Sequence, residues 1–457
     1  MSAIINNTFR KYNADNFIAS FGTEKVYLMI GKNDAWSGAS LGEYTETSPS
    51  DSSIPVPIDT AVSPYLHHND MIAAKLITST SVSHILKRVD WTSGTVYIEY
   101  DHLQDDIIDQ DFFVFTDPAY RVYKCISNYG GAQSTVEPTG VSTSIIETSD
   151  NYRWKFMFEV AQADVLKFVT TDWIPVKSPA TSGTDQANVE TAAIAGALEH
   201  IDVTAGGSGY RSNVGTATAT GTANTITLDS GASAVDDYYN NMSVFITSGT
   251  GSGQLRTISD YVGSTKVATV SVNWTTNPSS SSVNEVMPAV TITAVSGEGS
   301  GATARVSSVI GGVIKKVAMV TVGGSNTAGV AALATRYRSG TATISSGGGS
   351  AATLSVRVGP PGGHGDNAVS ELGGAFVMLN SRLIGNDGQD FPVGDDFRKV
   401  HLLVNPLLTA DSAVATATTY DSGEIEDDSG QIIYTEFRAP INRASDSTED
   451  IKLVMEF

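Results

Sequence analysis

The sequence is poor in the residues that would mark a redox, metal-thiolate or nucleic-acid-binding protein. Cys125 is the only cysteine among 457 residues, so no intrachain disulfide and no thiolate metal cluster can form. That fits a reducing cytoplasm, or a particle assembled there. Cys125 lies in the run Val122-Tyr123-Lys124-Cys125-Ile126, which reads as a strand, and is expected to act as a small buried hydrophobe. Charged residues are scarce at 17%, and 49 acidic residues outnumber 28 basic ones, for a net charge of −21. Such a surface repels phosphate backbones. Basic residues gather in no more than pairs such as Lys87-Arg88 and Lys315-Lys316, so no nucleic-acid partner is expected. An apolar signal region is lacking, as is any run long enough to cross a bilayer. A soluble chain without a recognisable export signal and without a membrane partner is therefore expected.

What remains is a polar, weakly charged chain rich in Ser, Thr, Gly and Asn, with 43 glycines and 41% hydrophobic residues. This composition favours short strands and many turns, and the length suggests two or three domains. Three textures follow one another, at 1–190, 191–360 and 361–457. In the first, Tyr27-Leu28-Met29-Ile30-Gly31 reads as a buried strand. Residues 70–88 carry apolar positions near helical spacing, with Asp70 as a candidate cap. Strands are expected at 95–100, 112–115, 120–126 and 152–160, and a short helix at 162–169.

The middle region is dominated by Gly, Ser, Thr, Ala and Val, and it repeats itself. Residues 291–306 (TITAVSGEGSGATARV) and 341–356 (TATISSGGGSAATLSV) share one pattern, and VTAGGS at 203–208 echoes VTVGGS at 320–325. Alternating segments joined by Gly-Ser turns predict hairpins, and a duplicated hairpin predicts a small β-sandwich or repeat module. A further β-like stretch, 249–274, is expected to turn at Val262-Gly263-Ser264. The third region returns to the first texture, with strands expected at 398–404, 431–437 and 450–457. The last of these is expected to pair with an earlier strand, with the first region as the candidate source. The expected fold is mostly β: a multi-domain, β-sandwich-like scaffold built from both chain ends, with an inserted β-repeat domain and a few short helices.

No constellation in the sequence makes a defensible catalytic site. The loops GTGSG (249–253) and GEGSG (297–301) lack the Gly-Lys-Ser/Thr of a Walker loop and the strand–loop–helix setting of a dinucleotide site. Asp105, Asp106, Asp109 and Asp111 crowd one segment, and Glu424, Glu426, Asp427 and Asp428 another. Acidic runs of this kind are usually solvated surface, whereas glycoside hydrolysis needs two carboxylates facing each other across a cleft. Asn386-Asp387-Gly388-Gln389-Asp390 and Asp395-Asp396 offer oxygen ligands without the calcium-loop spacing. His67, His68, His84, His102, His200, His364 and His401 form no metal-ligand pattern on one face. No catalytic, cofactor-binding or metal-binding residue is assigned, and no cofactor is expected. Trp36, Trp91, Trp154 and Trp173 are candidate interface anchors or core residues.

Several stretches resemble the gene-product-eight family of T-even-like phage baseplate wedge proteins. They are VYLMIGKNDAWS (26–37), Lys87-Arg88-Val89-Asp90-Trp91, Tyr123-Lys124-Cys125, Thr135-Val136-Glu137-Pro138, and Asp150–Trp154 running on to Phe158-Glu159-Val160. Toward the other end they are Phe397-Arg398-Lys399-Val400, Asn405-Pro406-Leu407, Ser422-Gly423-Glu424, Ile433-Tyr434, Arg438-Ala439-Pro440-Ile441 and Glu449–Phe457. The matches keep their order and cover most of 1–178 and 395–457; the Gly/Ser/Thr repeats have no counterpart in the family. The resemblance implies a non-enzymatic, mostly-β structural subunit of a contractile tail. It would form a homodimer, sit in the virion's tail baseplate after assembly in the host cytoplasm, and contact the counterparts of gene products six, seven and ten. Two other readings stay open. A receptor- or glycan-binding adhesin would show exposed aromatics among Tyr210, Tyr238, Tyr239, Tyr261 and Trp274, and a tail-associated glycan hydrolase would show facing carboxylates.

Overall fold

The computed structural model describes residues 6–31, 68, 70–104, 106–295, 298–325, 334–382, 396–407, 425–426, 429–442 and 450–457. Two compact units share the chain. The first takes Met1–Arg88, Val160–Ser178 and Leu372–Phe457, and the second takes Val89–Glu159 and Pro179–Glu371. Composition divides the chain at about 190 and 360. The units divide it at two further points, because residues 89–159 share the aromatic texture of the first region yet pack with the second unit.

The chain enters through helix α1 (Asn7–Ser20), capped by Asn6, whose side chain accepts from Phe9 N at 2.9 Å. Strands β1 (Val26–Gly31), β2 (Met71–Ile77) and β3 (Val82–Lys87) follow. Unit two then receives β4 (Phe113–Thr116), β5 (Arg121–Ser127), β6 (Ile146–Glu147) and β7 (Arg153–Glu159). Helix α2 (Gln162–Phe168) and β8 (Trp173–Val176) return to unit one. The second excursion opens with α3 (Asp185–Ala192) and β9 (Leu198–Ser208). It continues through β10 (Asn213–Thr216), β11 (Thr225–Thr227), β12 (Ser243–Ser248), β13 (Leu255–Val262), β14 (Val267–Val270) and β15 (Val283–Met287). It ends with β16 (Val290–Ala294), β17 (Ala302–Ile310), β18 (Val313–Val322), β19 (Gly340–Ile344), β20 (Ser350–Val358) and the single turn α4 (Ala368–Glu371). The last strands, β21 (Phe376–Arg382), β22 (Asp396–Val404), β23 (Gln431–Asn442) and β24 (Asp450–Glu456), complete unit one.

Unit one is a sandwich of two four-stranded sheets, in the orders β2-β1-β22-β23 and β24-β21-β3-β8. Strand β1 runs antiparallel to β22, from Val26 opposite Val404 to Gly31 opposite Lys399. Alternate residues then turn to opposite faces. Val26, Leu28, Ile30, Val400 and Leu402 meet Val82, Val377, Leu379, Leu453 and Met455 of the other sheet, with Ala14 and Phe21 closing the same cluster. Tyr27, Met29 and Leu403 point the other way and are also buried, beside Leu76 and Ile432. A strand covered on both faces reads as an unbroken apolar run, which is why VYLMI shows no alternation. The mostly-β class expected from composition is what the chain adopts.

Some local expectations fail for identifiable reasons. Residues 70–88 form no helix but β2, a 3-10 turn at Ser79–Ser81, and β3. Ile72, Ile77, Thr78, Thr80, Val82 and Ile85 are β-branched, and β1 and β21 offer them strand partners. Residues 95–100 are not a strand either. Their backbone bonds go singly to different partners, with Ile98 N donating to Asp111 O at 3.0 Å and Tyr100 N to Cys125 O at 2.9 Å. The final strand, β24, does pair with an earlier strand, but that strand is β21 of the third region, which in turn pairs with β3.

Unit two contains three bodies of packing. The sheet β4-β5-β7-β6 buries Tyr97, Tyr123, Tyr152, Trp154 and Phe156 with Val189 of α3. The sheet β10-β15-β12-β13-β14-β11 curls until the chain after β10 meets β11, where Thr218 N donates to Thr227 O at 3.1 Å. Its own core includes Ile226, Val244, Ile258, Tyr261 and Trp274. The expected turn at 262–264 lies between β13 and β14.

The third body holds the sequence repeats, and neither repeated segment folds back on itself, although β17 and β18 form a hairpin across Gly311-Gly312. β16 pairs with β19, β17 with β18, and β20 with β9, so each copy pairs with the other copy and not with itself. Equivalent details recur on both sides. The Ala352 amide donates to the Tyr210 hydroxyl at 3.3 Å, and the Ala302 amide to the Tyr337 hydroxyl at 3.3 Å. Thr204 and Thr353 pair their hydroxyls at 2.7 Å, as do Thr303 and Thr321. Gly207 and Gly323 take φ of 60° and 62°, and a Cβ on either would collide with the carbonyl of Ser350 or Ser300. Only glycine meets both demands. Tyr-Arg-Ser stands at 210–212 and again at 337–339, marking where the β10–β15 body is inserted into the first copy. Two-fold equivalence implies equal loss: Tyr210→Phe should speed hydrogen exchange at the Ala352 amide, and Tyr337→Phe at the Ala302 amide, each by about fivefold for a bond worth ~1 kcal/mol. Exchange mass spectrometry that finds only one of the two amides affected would contradict the equivalence.

Candidate functional site

The residues singled out in the sequence are scattered by the fold. Cys125 is fully buried, and burial, with Glu99 adding, pushes its thiol pKa well up, which keeps it protonated and unreactive. Asp106, Asp109 and Asp111 are exposed, as is Glu426. Asp105, Glu424, Asp427, Asp428, Asn386–Asp390 and Asp395 fall outside the described residues, as do Trp36 and His67. Asp396 is ion-paired with Arg398 at 2.7 Å. His84 Nε2 lies 3.0 Å from Asp15, and burial lowers its pKa; His401 Nδ1 meets the Thr435 hydroxyl at 3.1 Å. Trp154 is completely buried, Trp91 donates from Nε1 to Ser134 Oγ at 3.0 Å, and Trp173 packs 4.9 Å from the Phe376 ring. Tyr210, Tyr239, Tyr261 and Trp274 are buried and Tyr238 is half-buried, so these five form no exposed aromatic platform.

Two charge clusters inside unit two were not visible in the sequence. In the first, β5 and β7 carry Lys124 and Lys155 into the interior, both under 3% exposed. Lys124 pairs with Glu371, which also accepts from Gly365 N at 2.9 Å and Asn367 N at 3.1 Å. The Lys124 ammonium stands 5.0 Å from the Tyr100 ring, and that ring meets His364 edge-on at 4.8 Å. Lys155 donates to Thr143 O at 2.7 Å. Burial lowers the Lys124 pKa against the pull of Glu371, and burial raises that of Glu199 against the pull of Lys155 and Lys124. Removing one partner from such a pair leaves an uncompensated charge and costs about 3–5 kcal/mol.

The second cluster surrounds Arg357, on β20. Its guanidinium reaches Glu99 at 3.0 Å, Asp202 at 3.8 Å and Asp101. His200 sits beside it, and Arg153 Nη1 meets His200 Nδ1 at 2.7 Å. Glu99, His200 and Asp202 bring one ligand atom each within 4.8 Å of one another, the grouping in the described residues that comes nearest to a metal site. The chemistry does not fit a cation. Arginine can only donate, so His200 Nδ1 is the acceptor and the neutral ring carries its proton on Nε2. The carboxylates are already opposed by Arg357. The arrangement reads as a neutralised, buried polar network. Residues 99–101, 153, 200–202 and 357 stand in no local motif, so no spacing could have announced them.

Residues 369–457 match the Phage-Gp8 family, described as Bacteriophage T4, Gp8. This agrees with the resemblance to the gene-product-eight baseplate wedge family. That family is structural, and the match supports a structural role in a phage baseplate. No curated protein matches the chain.

The buried histidines make stability depend on pH. Burial first, then nearby Arg153, Arg357 and Lys316, hold His200 well below its ordinary value, and burial with Lys124 and Lys155 does the same to His364. A folded-state pKa depressed below the unfolded one means stability is fully present above about pH 6.5. It falls as pH drops below that, by up to about 1.4 kcal/mol per pH unit for each histidine. Glu99 and Glu199, raised by burial, act in the opposite sense. Denaturant unfolding of His364→Gln should therefore vary less between about pH 7 and about pH 5.5 than that of the parent, by about 1 kcal/mol over that window. Equal slopes for the two chains would contradict a buried, neutral His364.

Proposed function

We propose, taking the match of residues 369–457 to the gene-product-eight family as premise, that this chain is a wedge subunit of a contractile-tail baseplate, linking neighbouring wedge proteins as the baseplate assembles. One observation carries the reading: the matched segment is not self-sufficient. Its strands β21 and β22 are hydrogen-bonded to β3 and β1, so whatever the family segment does, the N-terminal strands do with it. The whole of unit one is then the family scaffold. On this reading the subunit is a homodimer, works through shape and interface area, and contacts the counterparts of gene products six, seven and ten. Large obligate interfaces of that kind bury apolar and aromatic patches; Phe9 and Tyr12, 52% and 61% exposed on α1, are available for one. The Gly/Ser/Thr-rich part of unit two is an accessory carried by that scaffold. No residue has a catalytic role, and the particle is assembled in the host cytoplasm.

Co-expression with the other wedge proteins of the same phage tests this. The chain should co-purify and elute with them as one complex, and should elute as a dimer when expressed alone. A stable monomer that joins none of them would overturn the proposal.

A further inference from the structure

A cavity of about 280 Å³ opens within unit two, between the ends of β5 and β7, strand β9 and the start of β18. Its wall carries Arg153, Lys315 and Lys316, with Asn151 and His200 beside them and Asp202 as the acidic member. Three cations around one cavity reverse the sign of a chain whose net charge is −21. Two of these cations are partly neutralised, which leaves Lys315 as the cation without a counter-charge among the described residues. Glu147 is shared between Lys316 and Arg153 Nε, the latter at 3.9 Å, and Asp202 lies 3.8 Å from Arg357. Lys315 is exposed, and no hydrogen bond or ion pair is formed by its ammonium in the described residues. The wall also holds an unused donor: His200 Nδ1 takes the Arg153 hydrogen bond, so Nε2 bears the proton, and Nε2 is buried without a partner. A buried donor left unmade is costly, and its presence at a cavity calls for an explanation.

We propose that this cavity binds an anionic ligand about the size of a monosaccharide, a sugar carrying a carboxylate or a phosphate. Arg153 and the two lysines meet the charge, since guanidinium and ammonium groups favour such oxyanions. The Asn151 amide supplies a hydrogen bond for hydroxyls. The polar wall disfavours an apolar ligand, and the histidine tautomer disfavours a metal ion. The same cations explain why the site does not depend on the acidic exterior: at physiological salt the screening length is about 8 Å, so only charges at the wall act on the ligand.

Isothermal titration of the full chain with D-glucuronate, glucose 1-phosphate and neutral glucose tests the assignment. At least one charged sugar should bind saturably and at least about tenfold more tightly than glucose, a difference of ~1.4 kcal/mol. Which of the two wins distinguishes carboxylate from phosphate recognition. Binding should weaken in about 1 M salt, where screening shortens to about 3 Å, and should fall about fivefold or more in Lys315→Glu, a loss of ~1 kcal/mol. Lys315 is at the surface, so this variant keeps the fold; Asn151→Gly is the second, since Asn151 has a φ of 68° that glycine accommodates, and should weaken all sugars without changing salt dependence. Equal affinity for glucose and the charged sugars, no saturable binding of either charged probe, or binding unmoved by Lys315→Glu would each overturn the proposal. None of these outcomes bears on wedge assembly, which the co-expression experiment tests separately.

Discussion

Everything in unit one depends on β1 being held between β2 and β22. Its backbone hydrogen bonds go to β2 on one side and to a strand from the far end of the chain on the other. Both of its faces are buried, Leu28 and Ile30 in the sandwich core and Tyr27 and Met29 beneath the opposite face. Fully burying such side chains is worth about 1.5–3 kcal/mol each, so the pairing is strongly favoured once formed. Its cost is closing the chain around it. That cost rises only by about 0.6 kcal/mol for each doubling of the loop, which explains how one scaffold can carry residues 89–159 and 179–371 as excursions without losing its register.

Unit two uses the same tolerance a second time. The repeat copies exchange strands, so neither copy has its hydrogen bonds satisfied alone, and the β10–β15 body is inserted within the first copy at the point where Tyr210-Arg211-Ser212 corresponds to Tyr337-Arg338-Ser339. Buried ion pairs then join segments far apart in sequence, Lys124 with Glu371 and Arg357 with Glu99 and Asp101. Such pairs add little net stability, but a misplaced strand would leave a charge buried and unpaired. For a protein whose proposed work is to present a fixed shape to neighbours, specificity of packing matters more than depth of stability.

Much of the fold was legible because it was local. Alternation exposed β7 and β24, an apolar run ended by glycine exposed β1, and the duplicated Thr/Gly/Ser pattern exposed the repeats. Partnership was not legible. The two repeat segments have the pattern of hairpins, and nothing in their residues says that β16 prefers β19 to β17. Residues 70–88 satisfied a helical spacing and a strand propensity together, and the available edges of β1 and β21 decided between them. The polar sites were hidden for the same reason. Lys124 sits in a strand that reads as apolar, and Arg153, His200 and Lys315 come together only through tertiary pairing. The family match reaches residues 369–457, the part of the chain whose strands complete a sandwich begun by residues 26–31.

Cysteine cross-linking between β1 and β22 tests that central pairing most directly. Leu28 and Leu402 are opposite each other in the ladder, at a strand-pair spacing that a disulfide can bridge; both are buried in the folded chain, so the bond is formed during refolding, with Cys125 replaced by serine. Refolding a Leu28→Cys, Leu402→Cys, Cys125→Ser variant from denaturant under oxidising conditions should give one intrachain bond and a faster-migrating monomer on a non-reducing gel. A chain that stays unlinked, or links only to a second molecule, would contradict a scaffold closed by its own two ends.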